Sequence, residues 1–278
     1  MSFIKTTSGG KPQVLKNIAF CTLLNGILPE ADTPISELFN AFDNKIRKQE
    51  PGITLGSLNN VHGDWYEWLL AISAWNYSAS DPDANLALLL PNVTQFDVSK
   101  LYVARLNELI NDLKKKVMEV SGVQLITSNP DFVIINRELV NEVIGKIEPI
   151  SVISPEVLSQ LEHVYTQFKH KCDYAQIEGY VSVKTSLRPD RRLQIPHEGS
   201  LMKALYAHLQ TREWITNPKG LKYYAVASKI TEPDRSALKT VATHSLTTVF
   251  SLPQAAVDDV FEVNTIKQAE HVFSWILA

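Results

Sequence analysis

Residues 180–209 read YVSVKTSLRPDRRLQIPHEGSLMKALYAHL, and this stretch predicts a strand, a compact cationic loop and a helix in succession. The first residues are aromatic or β-branched, as a buried strand requires. Ser182 and Lys184 project from one face of that strand because side chains two residues apart share a face. We expect Lys184 at the edge of a sheet and a helix from about Pro196 that opens with His197 and Glu198.

The predicted loop concentrates positive charge. Residues 184–192 hold four positive charges against one negative, in a chain whose formal net charge is −3. Such a patch is suited to a polyanion. Because the whole chain is acidic, it does not have the charge of a protein that coats nucleic acid broadly. Any contact with nucleic acid must therefore come from this local patch.

The composition indicates one globular unit. The 278 residues can bury a substantial core, and no linker divides them. We expect a single domain at 1–278, with a helical part at about 1–80 packed on a core at about 81–278. Cys21 and Cys172 form neither a disulfide framework nor a zinc pattern, which indicates a reducing, cytoplasmic setting. The N-terminus lacks a signal peptide's apolar region, and no apolar run approaches the roughly 18 residues of a membrane span, so we expect no membrane association.

Apolar spacing predicts helices interleaved with strands along the whole chain. Helices are expected at 14–28, from Thr33 to about Gly52, and at 63–75, 97–119, 155–170, 196–212, 253–261 and 266–277. Strands are expected at 86–90, 123–127, 132–135, from Tyr180, and at 222–229 and 238–249. This alternation predicts an α/β or α+β fold, with a single mixed central β-sheet flanked by helices on both faces.

Three charged residues need a common explanation: Asp131 after a proline, Lys184 on the later strand, and Glu198 beyond the loop. Two carboxylates and an amine on neighbouring sheet edges are what metal-dependent cleavage of a phosphodiester requires. Carboxylate oxygens hold Mg²⁺, which stabilises charge on the phosphorus and lowers the pKa of the attacking water. A lysine can orient that water and contact the phosphate.

Each of these signals is weak alone. A Pro-Asp pair is most often a turn, and a Ser-x-Lys in a strand is nearly always surface chemistry. Glu198 alone reads as a carboxylate that a helix N-terminus favours. The combination is far rarer by chance than any of its members.

Together these residues carry a family resemblance. NPD at 129–131, SVK at 182–184 and Glu198 within HEGSL resemble the active site of the PD-(D/E)XK nuclease superfamily. More narrowly, the chain resembles type II restriction endonucleases that read sites with a CCGG core, including tetrameric enzymes that cut RCCGGY. In that subgroup serine replaces the acidic residue two before the lysine, and a glutamate on the following helix supplies the missing carboxylate. GDWYEW at 63–68 and KTVATHSL at 239–246 are also similar to the subgroup.

The resemblance implies roles for five residues. Asp131 and Glu198 bind Mg²⁺, Lys184 positions or deprotonates water, and Ser182 marks the position from which the carboxylate has moved. Glu67 in GDWYEW lies at the margin of the metal site, where it helps to bind or position a second metal. The alternative for Glu67 is a polar residue beside the apolar helical stripe.

The cationic loop is interpreted as a reader of DNA bases. In the major groove guanine offers O6 and N7 to an arginine, while cytosine offers an N4 donor that an aspartate can accept. Arg188, Asp190 and Arg191 are assigned to the CCGG core, and Arg192 to a DNA phosphate. The alternative is a solvated loop in which Asp190 merely pairs with its arginine neighbours.

The sequence therefore predicts Mg²⁺-dependent cleavage of double-stranded DNA at a palindrome with a CCGG centre, such as RCCGGY or ACCGGT. Two equivalent half-sites require at least a two-fold dimer, and the resemblance points further, to a homotetramer. One alternative is a repair or recombination nuclease of the same superfamily, which reads DNA shape and does not need the cationic loop. Another is a catalytically silent DNA-binding module, in which the metal-binding carboxylates are free to vary.

Overall fold

The computed structural model describes residues 3–7, 9–91, 94–126, 129–217, 219–247 and 253–278. The first part of the chain forms β1 (Ile4–Thr6), β2 (Pro12–Val14), α1 (Lys16–Leu23), α2 (Ile35–Gln49) and α3 (Leu55–Ser80). The middle part forms β3 (Leu86–Leu89), α4 (Ala104–Ser121), β4 (Phe132–Ile135), α5 (Arg137–Val143), α6 (Pro155–His163) and β5 (Ile177–Lys184). The last part forms α7 (Pro189–Arg212), β6 (Lys222–Ala227), α8 (Glu232–Leu238), α9 (His244–Thr247), β7 (Asp259–Glu262) and α10 (Ile266–Ile276).

A five-stranded mixed sheet organises these elements. Its order is β3-β4-β5-β6-β7, and β1 pairs separately with β2. The pairs β3–β4 and β4–β5 are antiparallel, whereas β5–β6 and β6–β7 are parallel. The predicted single mixed sheet is confirmed. The prediction of Lys184 at a sheet edge is wrong in one respect, because Lys184 is the last residue of the central strand.

Helices cover both faces of the sheet, as predicted. The face that carries Val181 and Val183 packs against α1, α2, α3 and α10. The opposite face carries Tyr180 and packs against α4, α5, α7 and α8. Strands buried on both sides read as continuous apolar runs, which is why β3 and β4 were found from sequence. Within the described residues, none of the helices combines the length and the apolar character needed to cross a membrane.

Helix α3 is the longest helix on the face of the sheet that carries Val181 and Val183. The Thr54 hydroxyl caps its N-terminus by accepting a hydrogen bond from the Ser57 amide at 3.2 Å. The four predicted apolar positions Trp65, Trp68, Leu69 and Ile72 are all buried. The predicted helix at 63–75 is confirmed, but the observed helix extends further at both ends. Its N-terminal extension is not predicted because residues 55–62 carry few apolar side chains.

The end of helix α4 follows the expected local rule. Gly122 has φ 69° and ψ 10°, a left-handed conformation that glycine adopts without steric cost, and its amide donates to Met118 O. The start differs from the prediction. Asp97 instead caps a short 3-10 turn by accepting from the Ser99 amide, and α4 begins only at Ala104.

Three predicted elements are wrong where the structure describes them. Residues 123–126 form no strand, and Thr127 lies outside the described residues. Most of the predicted strand at 238–249 is the end of α8, an isolated bridge from Val241 to Ala255, and α9; residues 248 and 249 are not described. The predicted helix at 253–261 is instead a loop and β7, which pairs with β6. A parallel partner so distant in sequence leaves no local signal in the spacing of apolar residues.

Helix α7 also begins earlier than predicted. It starts at Pro189 rather than near Pro196, so the predicted cationic loop ends at Arg188, and Pro189 opens the first helical turn. Proline is favoured there because the first amides of a helix have no partner within the helix, and its φ is already helical. Pro196 lies inside α7. Both prolines are candidates for the first turn of the helix, and the prediction that α7 begins near Pro196 is wrong.

Gly199 allows α7 to approach the chain before β7 very closely. A Cβ atom at this position would lie 2.3 Å from Ala256 O and 3.0 Å from Tyr223 Cδ1. We expect Gly199→Ala to lower the free energy of unfolding by about 1–3 kcal/mol, because the helix must move away from backbone. Urea denaturation measures this loss. The control is Gly56→Ala in α3, where a Cβ meets nothing within 4 Å; equal stability of the two variants would contradict the expectation.

Candidate active site

Asp131 contacts the SVK motif at residues 182–184, where the beginning of β4 lies beside the end of β5. It directly precedes β4, and the antiparallel pairing with β5 brings its carboxylate to the end of the central strand. Asp131 Oδ2 accepts hydrogen bonds from the Val183 amide at 2.5 Å, from Lys184 Nζ at 2.8 Å and from Ser182 Oγ at 3.4 Å. The structure therefore brings together Asp131, Ser182 and Lys184, as predicted.

Asn129 fixes the loop that leads to Asp131. Its amide nitrogen donates to Pro91 O at 2.8 Å and to Phe96 O, and its Oδ1 accepts from the Val98 amide at 3.1 Å. The asparagine of the NPD motif thus bonds to three backbone groups of the preceding segment. Its contribution is to hold the aspartate in place.

Lys184 is a cation held among carboxylates. Its side chain is only 17% exposed. Burial lowers the pKa of Lys184, but the charge and hydrogen bond of Asp131, with the charges of Glu198 and Glu67, outweigh burial and raise that pKa above its ordinary value. Lys184 is therefore charged at neutral pH. This favours a role in positioning water or phosphate over a role in deprotonating water.

Glu198 reaches the cluster from α7. It lies well inside the helix and is 5% exposed, which excludes the alternative of a simple helix N-terminal carboxylate. Oε1 accepts from Gln194 Nε2 at 2.6 Å, and Oε2 accepts from the Tyr223 hydroxyl at 3.1 Å. Burial, followed by the charges of Glu198 and Asp131, raises the pKa of Tyr223 well above its ordinary value, so Tyr223 remains a hydrogen-bond donor.

Two side chains of this arrangement, Tyr223 and Gln194, were missed from sequence. Tyr223 lies in an apolar strand and gives no local signal, because only the pairing of β6 with β5 brings it beside Glu198. Gln194 could have been found, since it precedes Glu198 by four residues on one helix and such residues are neighbours.

Glu67 approaches from α3 and lines two neighbouring cavities of about 450 Å³ each. The first is also lined by Asp131 and Asn129, and the second by Lys184, Arg188 and Arg191. We call the two cavities together the site groove. The groove joins the cluster around Asp131 to the beginning of α7.

The pKa of Glu67 rises from an ordinary value of 4.5 to about 8. Burial is the largest cause, and the charges of Asp131 and Asp64 add to it, while Lys184 and Lys16 oppose it. A carboxyl group beside other carboxylates in a partly enclosed site is stabilised by a cation. This electrostatic setting fits a metal ion in the groove.

The carboxylates do not form a closed metal cage. Within the described ranges, no group of three or more His, Cys, Asp or Glu side chains is close enough to hold a metal ion. The predicted set Asp131, Glu198 and Glu67 is therefore not assembled as a triad, and Lys184 contacts Asp131 Oδ2. Mg²⁺, however, is usually bound by one or two carboxylates, with water and substrate phosphate completing its octahedron. Asp131 and Glu198 have the chemistry that such a hydrated ion needs.

The raised pKa of Glu67 predicts a pH-dependent stability. Because folding raises this pKa, the folded state keeps a proton that the unfolded state releases. The contribution of Glu67 to the free energy of unfolding is therefore complete below about pH 4.5 and is lost as pH rises through about 8. We expect the free energy of unfolding of Glu67→Gln at pH 9, without metal, to exceed that of the wild type by on the order of 1–2 kcal/mol, after allowance for partial exposure. At pH 4.5 the two proteins should unfold alike.

Urea denaturation in EDTA at the two pH values measures this difference. Glu142→Gln is the control, because Glu142 is an exposed glutamate of α5. A stability difference between Glu67→Gln and the wild type that is the same at both pH values would show that the carboxyl group of Glu67 does not change its protonation on folding in this range.

The predicted base readers lie at the beginning of α7. Arg188 and Asp190 have side chains 65% and 61% exposed and form an ion pair at 3.4 Å. Arg191 lies 3.7 Å from Asp190 and donates to Gln194 Oε1 at 2.5 Å. The alternative in which Asp190 pairs with its arginine neighbours thus describes the DNA-free contacts correctly. Exposed ion pairs of this kind contribute little, so these side chains can exchange partners.

Arg192 differs from its neighbours. Its Nε lies 2.5 Å from Asp234 Oδ1, and Asp234 is 3% exposed and belongs to the capping box of α8. Arg192 therefore connects the first turn of α7 to α8. This contact limits the freedom of Arg192 to follow a ligand.

The mixed sheet, with Asp131, Ser182, Lys184 and Glu198 near the end of its central strand, fits a type II restriction endonuclease, and the comparisons with known proteins show that class. The chain belongs to the Cfr10I/Bse634I restriction endonuclease family, whose family model matches residues 4–278. It is 41% identical over 281 residues to the type II restriction enzyme Cfr10I of Citrobacter freundii, across 99% of this chain and 98% of that protein.

Solved structures agree with this assignment. The Bse634I restriction endonuclease superposes with a TM-score of 0.87 at 32% identity, covering 98% of this chain and 96% of that one. The Type IIF restriction endonuclease Bse634I with cognate DNA superposes with a TM-score of 0.88 at 31% identity, covering 100% of this chain and 98% of that one. The predicted recognition of the family and the predicted enzyme class are both confirmed.

Proposed function

We propose that this enzyme uses Mg²⁺ to cleave both strands of DNA at a palindrome with a CCGG centre, of the RCCGGY or ACCGGT type. The observation that carries the proposal is the shared groove: Arg188 and Arg191 line the same cavity as Lys184, which contacts Asp131. Groups suited to base edges and groups suited to a phosphodiester thus face one space. The related Bse634I has been solved with cognate DNA.

Base reading is assigned to the first turn of α7 and the residue before it. Arg188 and Arg191 are matched to guanine O6 and N7, and Asp190 to the N4 donor of cytosine. Residues at the N-terminus of a helix can enter the major groove with their side chains directed at base edges. Arg192, which is held by Asp234, is assigned a phosphate contact through its remaining donors.

Cleavage is assigned to the cluster around Asp131. When bound, Mg²⁺ supplies charge stabilisation at the phosphate and a more acidic water. Asp131 and Glu198 would hold it, with Glu67 at the margin of the site. Lys184 keeps its proton and binds a phosphate oxygen or orients the attacking water. Ser182 remains uncharged and leaves the metal-binding negative charge to Glu198.

The quaternary and domain assignments follow from the substrate and the packing. A palindrome presents two equivalent half-sites, so a two-fold homodimer is the least assembly that can read it, and a homotetramer binds two sites. We further propose that residues 1–278 act as one domain. The helical part at about 1–80 supplies α3, which packs on the sheet of the catalytic core at about 81–278 and contributes Glu67 to the groove.

A digestion experiment tests the proposed function. Purified protein is incubated with a plasmid of known sequence and Mg²⁺, and the ends are sequenced; we expect every end to fall at one palindrome with a CCGG centre, and no cleavage in EDTA. Ends scattered over unrelated sequences would favour the repair or recombination nuclease. Tight binding without cleavage in Mg²⁺ or Mn²⁺ would favour a silent DNA-binding module.

A further inference from the structure

Gln194 lies between a base reader and a catalytic carboxylate. Its Oε1 accepts a hydrogen bond from Arg191 Nη1 at 2.5 Å, and its Nε2 donates to Glu198 Oε1 at 2.6 Å. Residues 191, 194 and 198 follow the spacing of one helical face, so α7 aligns the three side chains along its length. One short amide thereby connects the beginning of α7 to the centre of the cleavage site.

The two charged neighbours fix the orientation of this amide. A glutamine offers an acceptor at one end and donors at the other. The arginine requires the acceptor and the carboxylate requires a donor, so a reversed amide would oppose like groups at both ends. Gln194 is therefore held at both ends, and a movement of Arg191 leaves Glu198 as the one described partner of its amide.

Gln194 is also the contact of Glu198 that can most readily be released. The carboxylate accepts from Tyr223 at Oε2 and from Gln194 at Oε1. Tyr223 is 0% exposed and is fixed within the core, whereas Gln194 is exposed at the surface of α7. Breaking the Gln194 hydrogen bond requires a rotation of an exposed side chain, whereas breaking the Tyr223 hydrogen bond requires a rearrangement of the core.

We propose that Gln194 couples base recognition to the availability of Glu198 for metal. It is a positioning residue that acts through Glu198. When Arg191 turns to a guanine, Gln194 loses one of the two partners that hold it, and a metal ion displaces its hydrogen bond to Glu198 Oε1 more easily. On DNA without that guanine, Arg191 stays on Gln194, and Oε1 remains covered. This inference rests on the proposed function for the role of Arg191 as a base reader.

Metal binding without DNA provides the first test. A hydrogen bond to a charged group is worth about tenfold to a hundredfold in an equilibrium. Gln194→Met keeps the length of the side chain and removes both hydrogen bonds, so we expect Mg²⁺ to bind the DNA-free variant at least about tenfold more tightly in calorimetry. Gln210→Met is the matched control, because Gln210 is on the same helix and donates to Ile215 O. A Gln194→Met affinity within twofold of the wild type overturns the proposal.

Discrimination between sites provides the second test. We expect Gln194→Met to lower the ratio of cleavage rates on cognate DNA and on DNA with one altered CCGG base by about tenfold. The reason is that the availability of Glu198 for metal no longer depends on the position of Arg191. A double-mutant cycle with Arg191→Ala should be strongly non-additive in this ratio, since both changes interrupt one connection. Additive effects of the two changes overturn the coupling.

The two failures can be told apart. If Arg191→Ala leaves the ratio of cognate to random DNA affinity in Ca²⁺ unchanged, then Arg191 is not a base reader and that part of the proposed function fails. The Mg²⁺ titration of Gln194→Met without DNA still reports whether Gln194 covers Glu198. If Arg191→Ala abolishes the affinity ratio but Gln194→Met changes neither metal affinity nor the cleavage ratio, only the coupling fails.

Discussion

Asp131→Asn is expected to lower the rate of cleavage at the cognate site by at least about 1000-fold. The variant keeps the shape of the side chain but removes the negative charge that faces Lys184 and the proposed metal. A metal ion contributes several kcal/mol of charge stabilisation, and about 4 kcal/mol corresponds to a factor of about 1000 in rate. DNA binding should survive, because the proposed DNA contacts lie at the beginning of α7.

Single-turnover cleavage with saturating enzyme measures the rate, and fluorescence anisotropy in Ca²⁺ measures DNA affinity. Asp112→Asn is a matched control with the same change of charge, since Asp112 pairs on α4 with Lys116 and lines neither cavity of the site groove. An Asp131→Asn enzyme that cuts within tenfold of the wild-type rate would remove Asp131 from the cleavage site.

Asp190→Asn is expected to weaken binding to cognate DNA by about tenfold to a hundredfold, while random DNA binds equally well or better. The amide can turn its donor toward the cytosine amine and leave two donors opposed, which corresponds to roughly 1–3 kcal/mol of discrimination. The loss of one negative charge meanwhile favours every phosphate backbone. The carboxylate also interacts favourably with the helix N-terminus, but that term is only about 0.3–1 kcal/mol of stability.

Anisotropy titrations with the cognate duplex and a scrambled duplex, repeated across a range of salt concentrations, measure the two affinities. The Asp112→Asn control carries the same charge change away from the groove and should leave the affinity ratio unaltered. If Asp190→Asn moves both affinities in parallel at every salt concentration, the first turn of α7 is only an electrostatic clamp. The residues that select the recognition site would then lie elsewhere in the chain.

Local sequence rules predicted the elements that local physics determines. The runs of β3 and β4 were recognisable because strands covered on both faces are apolar throughout. The strand β5 was recognisable from Tyr180 onward because its residues there are aromatic or β-branched. Gly122 ended α4 because its left-handed conformation is a property of that residue. By contrast, β7 is defined by its pairing with β6, a contact far away in sequence, and short apolar runs do not distinguish a strand from a helix.

The same distinction between local and long-range determinants applies to the residues of the candidate site. Residues with characteristic chemistry and spacing, Asp131, Lys184 and Glu198, could be selected from motifs, and the structure places Asp131 and Lys184 in direct contact. The environment of Glu198 could not be predicted, because Tyr223 reaches it only through the packing of β6 beneath α7. Either Pro189 or Pro196 could begin α7. A start near Pro196 places the predicted base readers on a loop, whereas the observed start at Pro189 places them at the beginning of the helix.

The residues proposed to cut DNA and those proposed to read it lie largely on one short, continuous segment of chain. Lys184 ends the central strand, and Arg188 directly precedes the first turn of α7. If these roles hold, selection for a new target sequence acts on Arg191, which is connected to Glu198 through Gln194. A library that randomises only Arg188, Asp190 and Arg191 will return mostly inactive clones, and productive changes of specificity will need compensating substitutions at Gln194 and along the groove-facing side of α7.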